Sequence, residues 1–183
     1  MARLPEILWD TAPEKTRELL DQVATGWDLT PAMTQTMALS PAVLQGYLSL
    51  RDALQGGTLD PLVRARIGLA GAEANRSRYS LATQAALGWL MGLDEAELEA
   101  ARWARSADPK VEAALSFAQA IVQYRGEVSD EEFDAVRQAG YTDGEIAEIL
   151  ANVGLHIFTN YFTLVAQTKM PFPIGEAGEP DVA

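Results

Sequence analysis

At 183 residues the chain is long enough for one domain with a substantial hydrophobic core. Its 26 acidic and 14 basic residues give a net charge of −12, which disfavours a polyanionic partner such as nucleic acid. The chain has no cysteine and one histidine, which excludes a disulfide, a thiol nucleophile and a multi-histidine metal site within one chain. With no run of 18 apolar residues and no apolar signal core, we expect a cytoplasmic protein without a membrane span.

Helix start and stop signals divide the chain into about eight helical segments. Each signal is a capping residue, a proline in the first turn or a terminating glycine. A short segment with Met33, Met37 and Leu39 lies between the first two long ones. The predicted starts are Thr11–Pro13, Ser40–Pro41, Asp60–Pro61, Asp94, Asp108–Pro109, Ser129 with Glu132, and Thr142 with Glu145. The first helix is expected to end at Gly26, before a turn-rich link through Trp27.

The last helix, expected from about Asp143 to Gln167, is the longest and is apolar around most of its circumference. A helix that is apolar on most sides must be buried on most sides, so we expect a second subunit to cover part of it. Prolines then end helix formation, and a tail over residues 173–183 is expected to be mobile. Without strand-like alternation, the pattern predicts a single all-α domain over residues 1–172.

The stretch from Glu73 to Gln84 reads EANRSRYSLATQ and carries the candidate site. Ser77 and Ser80 are three residues apart and Gln84 follows four residues later, so on a helix the three share a face. The preceding run at 67–72, IGLAGA, is rich in small residues and would let two helices approach closely. Two hydroxyls and an amide on one stripe are typical of the lining of a small polar site.

The same stretch resembles the active-site helix of the alkylhydroperoxidase D-like, or carboxymuconolactone decarboxylase, family. That family typically reads Asn-Gly-Cys-x-Tyr-Cys-x-x-x-His at this point. Asn75 and Tyr79 match the pattern, whereas Ser77 and Ser80 stand at the two cysteine positions and Gln84 stands at the histidine position. The stretch therefore keeps the asparagine and the tyrosine of the family's motif and has other residues in place of its two cysteines and its histidine.

Two further segments, Ser40–Tyr47 and Asn152–Phe162, extend the resemblance over almost the whole chain. It implies a helical bundle of the alkylhydroperoxidase D-like type, a homo-oligomer with a trimer or hexamer favoured, and no metal or organic cofactor. The family's proton-relay glutamate lies twelve residues before the first cysteine, and Ala65 occupies that position here. All four catalytic positions of the family are thus replaced.

In that family, the cysteine pair reduces a peroxide and closes to a disulfide while the histidine and glutamate relay protons. A serine hydroxyl has a far higher pKa than a thiol and no comparable redox chemistry, so Ser77 and Ser80 cannot run this cycle. Acid–base chemistry must then come from other groups. Glu73, four residues before Ser77, is the best candidate base by location, and His156 on the last helix is another.

The predicted site has nine members, each with a plain structural alternative. A surface carboxylate is the alternative for Glu73, a core histidine for His156, and core packing for Met37. The catalytic candidates are Glu73, Ser77, Ser80, Gln84 and His156, and the substrate-binding candidates are Met37, Asn75, Tyr79 and Asn160.

Three functional hypotheses follow. The first is a divergent, cofactor-free enzyme of lyase, decarboxylase or isomerase type that acts on a small organic acid or a ring-bearing metabolite. The second is a pseudoenzyme or small-molecule-binding protein that keeps the fold and the assembly. The third is an antioxidant alkylhydroperoxide reductase-like protein whose cysteines have been replaced by serine, naturally or by design. The absence of the histidine and the glutamate argues against a simple serine replacement in an otherwise intact peroxidase site.

Overall fold

The structure, a computed structural model, describes residues 2–24 and 31–170. Within these ranges it contains helices and no strand, which confirms the all-α prediction. A 3₁₀ turn at Trp9–Thr11 is followed by α1 (Glu14–Ala24), α2 (Pro31–Met37), α3 (Pro41–Gln55), α4 (Pro61–Ala74), α5 (Arg78–Leu90), α6 (Glu95–Arg102), α7 (Pro109–Gln123), α8 (Asp130–Gln138) and α9 (Asp143–Ala166). The predicted link through Trp27 and the predicted tail over 173–183 lie outside the described residues.

Side-chain caps begin most of these helices where the sequence predicted them. The predicted capping residues that accept a backbone N–H in the first turn are Asp60, Asp94, Asp108, Ser129 and Thr142. Ser40 precedes α3, but its hydroxyl makes no capping bond. Thr11 lies in the 3₁₀ turn and donates its hydroxyl to the carbonyl of Leu8 at 3.2 Å, so α1 begins three residues later, at Glu14.

Helix α4 is the centre of the bundle and packs against α5, α6, α7 and α9. Its small residues are buried together with the larger ones, which lets four helices surround it. Val63, Ile67 and Leu69 of α4 belong to a hydrophobic cluster with residues of α7 and α9. A second cluster joins α1, α2 and α3 to Tyr79 of α5 and Leu155 of α9. The two clusters together fix α4, α5 and α9 around the candidate site.

Helix α9 buries one face and exposes the other. The buried face includes Ile146, Ile149 and Val153, which belong to the first cluster. The large apolar residues of the exposed face are Leu150, Phe158, Tyr161, Leu164 and Val165. Among the described residues, α9 is the one helix long and apolar enough to cross a bilayer, a criterion that the core helix of a soluble protein also meets. Its buried face belongs to the core of the bundle.

Candidate functional site

A cavity of about 450 Å³ lies between α2, α3, α4, α5 and α9. Its wall combines apolar side chains with hydroxyl, amide, imidazole and guanidinium groups. The polar side chains that α5 and α9 contribute are Tyr79, Ser80, Thr83, Gln84, Asn152, His156 and Thr159. Ala65 also lines the cavity and is buried. The volume suits a small organic molecule.

Gln84 and His156 come together beside Gly68 of α4. A Cβ atom placed on Gly68 would lie 2.5 Å from Gln84 Oε1 and 2.9 Å from His156 Cε1, closer than such atoms approach in proteins. Because glycine has no side chain, position 68 leaves room for the Gln84 amide and the His156 imidazole. At Gly71, one turn later, the same added atom would meet the His156 Cβ at an ordinary 3.6 Å. The predicted close approach of helices thus occurs along this run of small residues.

Ser77 and Ser80 are joined to each other, and only Ser80 lines the cavity. Ser77 is the N-cap of α5 and accepts the backbone N–H of Ser80 at 3.3 Å. Its hydroxyl donates to Ser80 Oγ at 2.9 Å and lies 3.2 Å from Thr163 Oγ1. Because Ser80 Oγ accepts this proton, and no described residue accepts its own, the Ser80 hydroxyl is available as a donor to a molecule in the cavity.

A sharp change of direction separates α4 from α5 and explains why Ser77 is a cap. Arg76 has a φ of 54°, in the left-handed region, which ends α4 and begins the next helix two residues later. The sequence pattern placed Ser77 and Ser80 on one face of a continuing helix. In the structure Ser77 instead precedes the helix, and its buried hydroxyl donates a hydrogen bond to Ser80 Oγ.

The His156 imidazole is uncharged at neutral pH. Its ring is partly buried in the cavity wall, and desolvation lowers the pKa of His156 to about 4. Within residues 2–24 and 31–170, no side chain forms a hydrogen bond with either ring nitrogen or with the Gln84 amide. In this form the imidazole offers one donor and one acceptor, so it can accept a proton and cannot serve as a cationic acid.

Glu73, the predicted base, lies outside the residues that line this cavity. Its Oε2 accepts a hydrogen bond from Nε of Arg102 on α6 at 2.9 Å, and Nη2 of the same guanidinium forms an ion pair with it at 2.9 Å. Arg102 also pairs with Glu99 at 2.8 Å, so the three side chains form one small network. This arrangement stabilises the packing of α6 on α4. A catalytic role for Glu73 stays a prediction.

Three of the predicted substrate-binding residues have mainly structural contacts. Asn75 and Asn160 both donate from Nδ2 to the Gly71 carbonyl, at 2.9 and 3.0 Å, which ties the end of α4 to α9. Met37 is buried in the second hydrophobic cluster, and Met33, one turn earlier on α2, lines the cavity in its place. The fourth candidate, Tyr79, does line the cavity, and its hydroxyl accepts the Met33 N–H at 3.2 Å.

Two arginines that the sequence reasoning did not single out also line the cavity. Arg64 of α4 donates from Nη1 to the carbonyl of Leu59 at 2.6 Å, and Arg51 of α3 pairs with Asp52 at 2.8 Å. Isolated arginines on amphipathic helices ordinarily belong to a solvated face, so the sequence held no signal for them. Which side of α3 and α4 borders the cavity is decided by tertiary packing.

No protein-family model and no curated relative matches the sequence. Solved structures do match the fold. An alkylhydroperoxidase AhpD core, peroxidase-related protein from Ralstonia eutropha JMP134 superposes with a TM-score of 0.81 at 20% identity, covering 97% of this chain and 94% of that one. A peroxidase-related protein from Silicibacter sp. TM1040 gives 0.79 at 18%, covering 92% and 94%. The debrominase Bmp8, as a variant in complex with 2,3,4-tribromopyrrole, gives 0.76 at 17%, covering 97% and 94%. The chain therefore has the AhpD-like fold, as the resemblance in its sequence predicted.

Proposed function

We propose that this chain is a divergent AhpD-like protein that binds a small organic metabolite in the cavity and acts on it without a thiol or a cofactor. The observation that carries the proposal is the position of Ser80, Gln84 and His156. They come from two helices and line one cavity, and no described side chain bonds the Gln84 amide or the His156 ring nitrogens or accepts the hydroxyl proton of Ser80. Such convergent polar groups in an apolar-walled cavity are typical of a binding or active site.

Each of these side chains has a definite chemical capacity. Ser80 can donate a hydrogen bond, Gln84 can donate and accept, and neutral His156 is a base that titrates below neutral pH. Loss of thiol peroxidase chemistry follows from the absence of cysteine. A proton transfer at carbon, as in an isomerase or a decarboxylating lyase, is the reaction class that these groups suit. The tribromopyrrole complex of Bmp8 supports a ring-bearing compound as the ligand.

The alternative is a binding protein of the same fold without catalysis. It is favoured by the loss of the carboxylic acid at the position of Ala65 and of the titratable group at the position of Gln84. The antioxidant hypothesis would require a thiol, which the chain does not supply. Retention of a ligand without turnover would support the binding protein over the enzyme.

The proposal is tested by the small molecules that the purified protein retains. We expect untargeted mass spectrometry of the denatured protein to release a compound that Ser80→Leu and Gln84→Leu no longer hold. Glu73→Gln is the matched control, because Glu73 pairs with Arg102 outside the cavity, and it should retain the compound. Hydroperoxide consumption with a dithiol reductant should stay at background. Equal retention by all variants, or no retained compound and no ligand found by screening, would contradict the proposal.

We also propose that the chain forms a homo-oligomer through the exposed face of α9. Leu150, Gly154, Phe158, Tyr161 and Val165 are four, four, three and four residues apart, so they form one stripe along the helix. All five are exposed, and an added Cβ at Gly154 would meet no atom within 4 Å. A contiguous apolar stripe of this kind is typical of a subunit interface. The resemblance favours a trimer or a hexamer.

Light scattering after size exclusion tests the assembly. Wild type should elute as a closed oligomer at micromolar concentration, and Phe158→Glu with Val165→Glu should shift it toward the single chain. Leu8→Glu is the control, since the Leu8 side chain is 54% exposed, between Phe158 at 40% and Val165 at 65%, and does not belong to the α9 stripe. A wild type with the mass of one chain would contradict this interface.

A further inference from the structure

The charge of the cavity wall is opposite in sign to that of the chain. The chain carries a net charge of −12, yet among the residues that the structure describes, the charged groups that line the cavity are Arg51 and Arg64, with no aspartate or glutamate. A positively charged wall is unexpected in this chain, because its acidic residues outnumber its basic residues by 26 to 14. Low-dielectric walls also strengthen the field of these groups inside the cavity.

Arg64 is held in place by neutral partners. Its Nη1 donates to the Leu59 carbonyl at 2.6 Å and its Nη2 to the Gln55 carbonyl at 3.5 Å. No carboxylate of the described residues lies within 4 Å of this guanidinium. Arg66, two residues along the same helix, pairs with Glu97 at 2.8 Å. Arg64 is thus a partly buried, preorganised cation whose charge no described residue neutralises by direct contact.

Glu148, a carboxylate that interacts electrostatically with Arg64, is already engaged. Glu148 of α9 accepts the backbone N–H groups of Thr58 and Leu59, at 2.9 and 2.8 Å, and the Thr58 hydroxyl at 3.0 Å. These bonds lower the pKa of the Glu148 carboxyl and hold it against the loop that leads into α4. The carboxylate is therefore committed to the loop, and the guanidinium keeps N–H groups for another acceptor.

Arg51 adds a second positive group on the facing helix. It pairs with Asp52 at 2.8 Å, and the Asp52 side chain is the more exposed partner, at 54% against 24%. The guanidinium also lies 5.7 Å from the centre of the Tyr47 ring, which lines the cavity as well. Because water screens the exposed partner, this pair leaves much of the Arg51 charge facing the cavity.

We infer that the cavity selects a small carboxylate-bearing compound, whose carboxylate binds Arg64 with support from Arg51. Arginine pairs with carboxylates in a planar, two-bond geometry, and the bond is strong where both groups lose water. Met33, Leu54 and Leu87 supply apolar contact for the rest of the ligand. This inference rests on the proposed function, because it names the class of molecule that the same cavity takes.

The test compares benzoate with benzamide, which have nearly the same shape and differ in charge. Titration calorimetry and ligand-observed NMR should show that wild type binds benzoate at least about tenfold more tightly than benzamide. Arg64→Gln should remove that preference, and Arg51→Gln should reduce it. Arg66→Gln is the matched control, because Arg66 is on the same helix but pairs with Glu97 away from this cavity, and it should preserve the preference.

The outcomes separate this inference from the proposed function. If wild type binds neither benzoate nor benzamide, and no neutral compound of a fragment set, both the proposed function and the anion selectivity are overturned. Equal binding of benzoate and benzamide by wild type would overturn the anion selectivity and leave the ligand-binding cavity in place. An unchanged preference in Arg64→Gln that melts like wild type would also overturn it. If Arg64→Gln does not fold, the ratio of the two affinities in wild type still decides the matter.

Discussion

Replacing Gly68 by alanine is the sharpest perturbation that the geometry of the cavity offers. The added Cβ would lie 2.5 Å from Gln84 Oε1, 2.8 Å from Gln84 Cδ and 2.9 Å from His156 Cε1. All three contacts are with side chains rather than with backbone, so the amide and the imidazole must both move. Both side chains line the cavity, and the displacement therefore changes the site itself as well as the packing around it.

The magnitude follows from two opposing terms. Alanine is favoured over glycine inside a helix by about 1 kcal/mol, whereas overpacking a buried position costs about 1–3 kcal/mol. Gly71→Ala on the same helix gains the helix-propensity contribution and avoids most of the overpacking cost, because its Cβ would meet His156 Cβ at an ordinary 3.6 Å. The Gly68 variant should therefore be less stable than the Gly71 variant by about 1–3 kcal/mol.

Thermal unfolding followed by circular dichroism measures this difference. For a chain of this size, Gly68→Ala should melt roughly 2–12 °C below Gly71→Ala. Benzoate binding by Gly68→Ala should weaken, because Gln84 and His156 are displaced into the cavity, while Gly71→Ala should bind as wild type does. Equal melting temperatures together with equal binding in the two variants would refute the argument that Gly68 makes room for these two side chains.

Three further predictions concern single groups. Ser77→Ala should lower the free energy of unfolding by about 0.5–2 kcal/mol in urea titrations, because it removes the α5 cap, whereas Ser49→Ala on the exposed face of α3 should change little. Wild-type stability should fall as pH drops from 6.5 toward about 4, because the unfolded chain protonates its histidine before the folded chain does. His156→Gln should lack that component of the pH dependence. Glu148→Gln should lower the melting temperature at pH 7. This effect should shrink as pH falls below 4.5, where the unfolded chain protonates the carboxyl, and vanish once pH has passed the lower pKa of the folded state.

The helix boundaries could be predicted from the sequence because their signals are local. Asp60 before Pro61 and the capping box of Thr142 with Glu145 act within one turn, so no knowledge of the remaining chain is needed. The exposed stripe of α9 was foreseeable only as an excess of apolar residues. Which of its sides faces the core depends on where α4 and α7 lie.

The site could be predicted in part, for a physical reason that differs from residue to residue. Ser80 and Gln84 are on one face of α5, as their spacing of four indicated, and both reach the cavity. Ser77 could not be assigned, because a serine fits a helix interior or a cap, and the left-handed Arg76 that decides between them is uncommon for a residue other than glycine. Arg64 could not be recognised as a binding residue from the sequence, because its availability to a ligand depends on which carboxylates lie near it in the folded chain.

The residues expected at the family's catalytic positions have one physical outcome in common, which is a cavity wall with few groups that titrate near pH 7. Alanine at 65, serine at 80 and glutamine at 84 do not titrate in that range, and desolvation lowers the pKa of His156 to about 4. The charge that the described residues give the wall then comes from Arg51 and Arg64 and stays constant between about pH 5 and 8. A mechanism that needs both a general acid and a general base would have to pair His156 with a tyrosine of the wall, Tyr47 or Tyr79. Reactions that need one weak base, or binding alone, remain compatible with this wall. A rate that is flat from pH 6 to 8 and falls only as pH approaches 4 would identify His156 as that base.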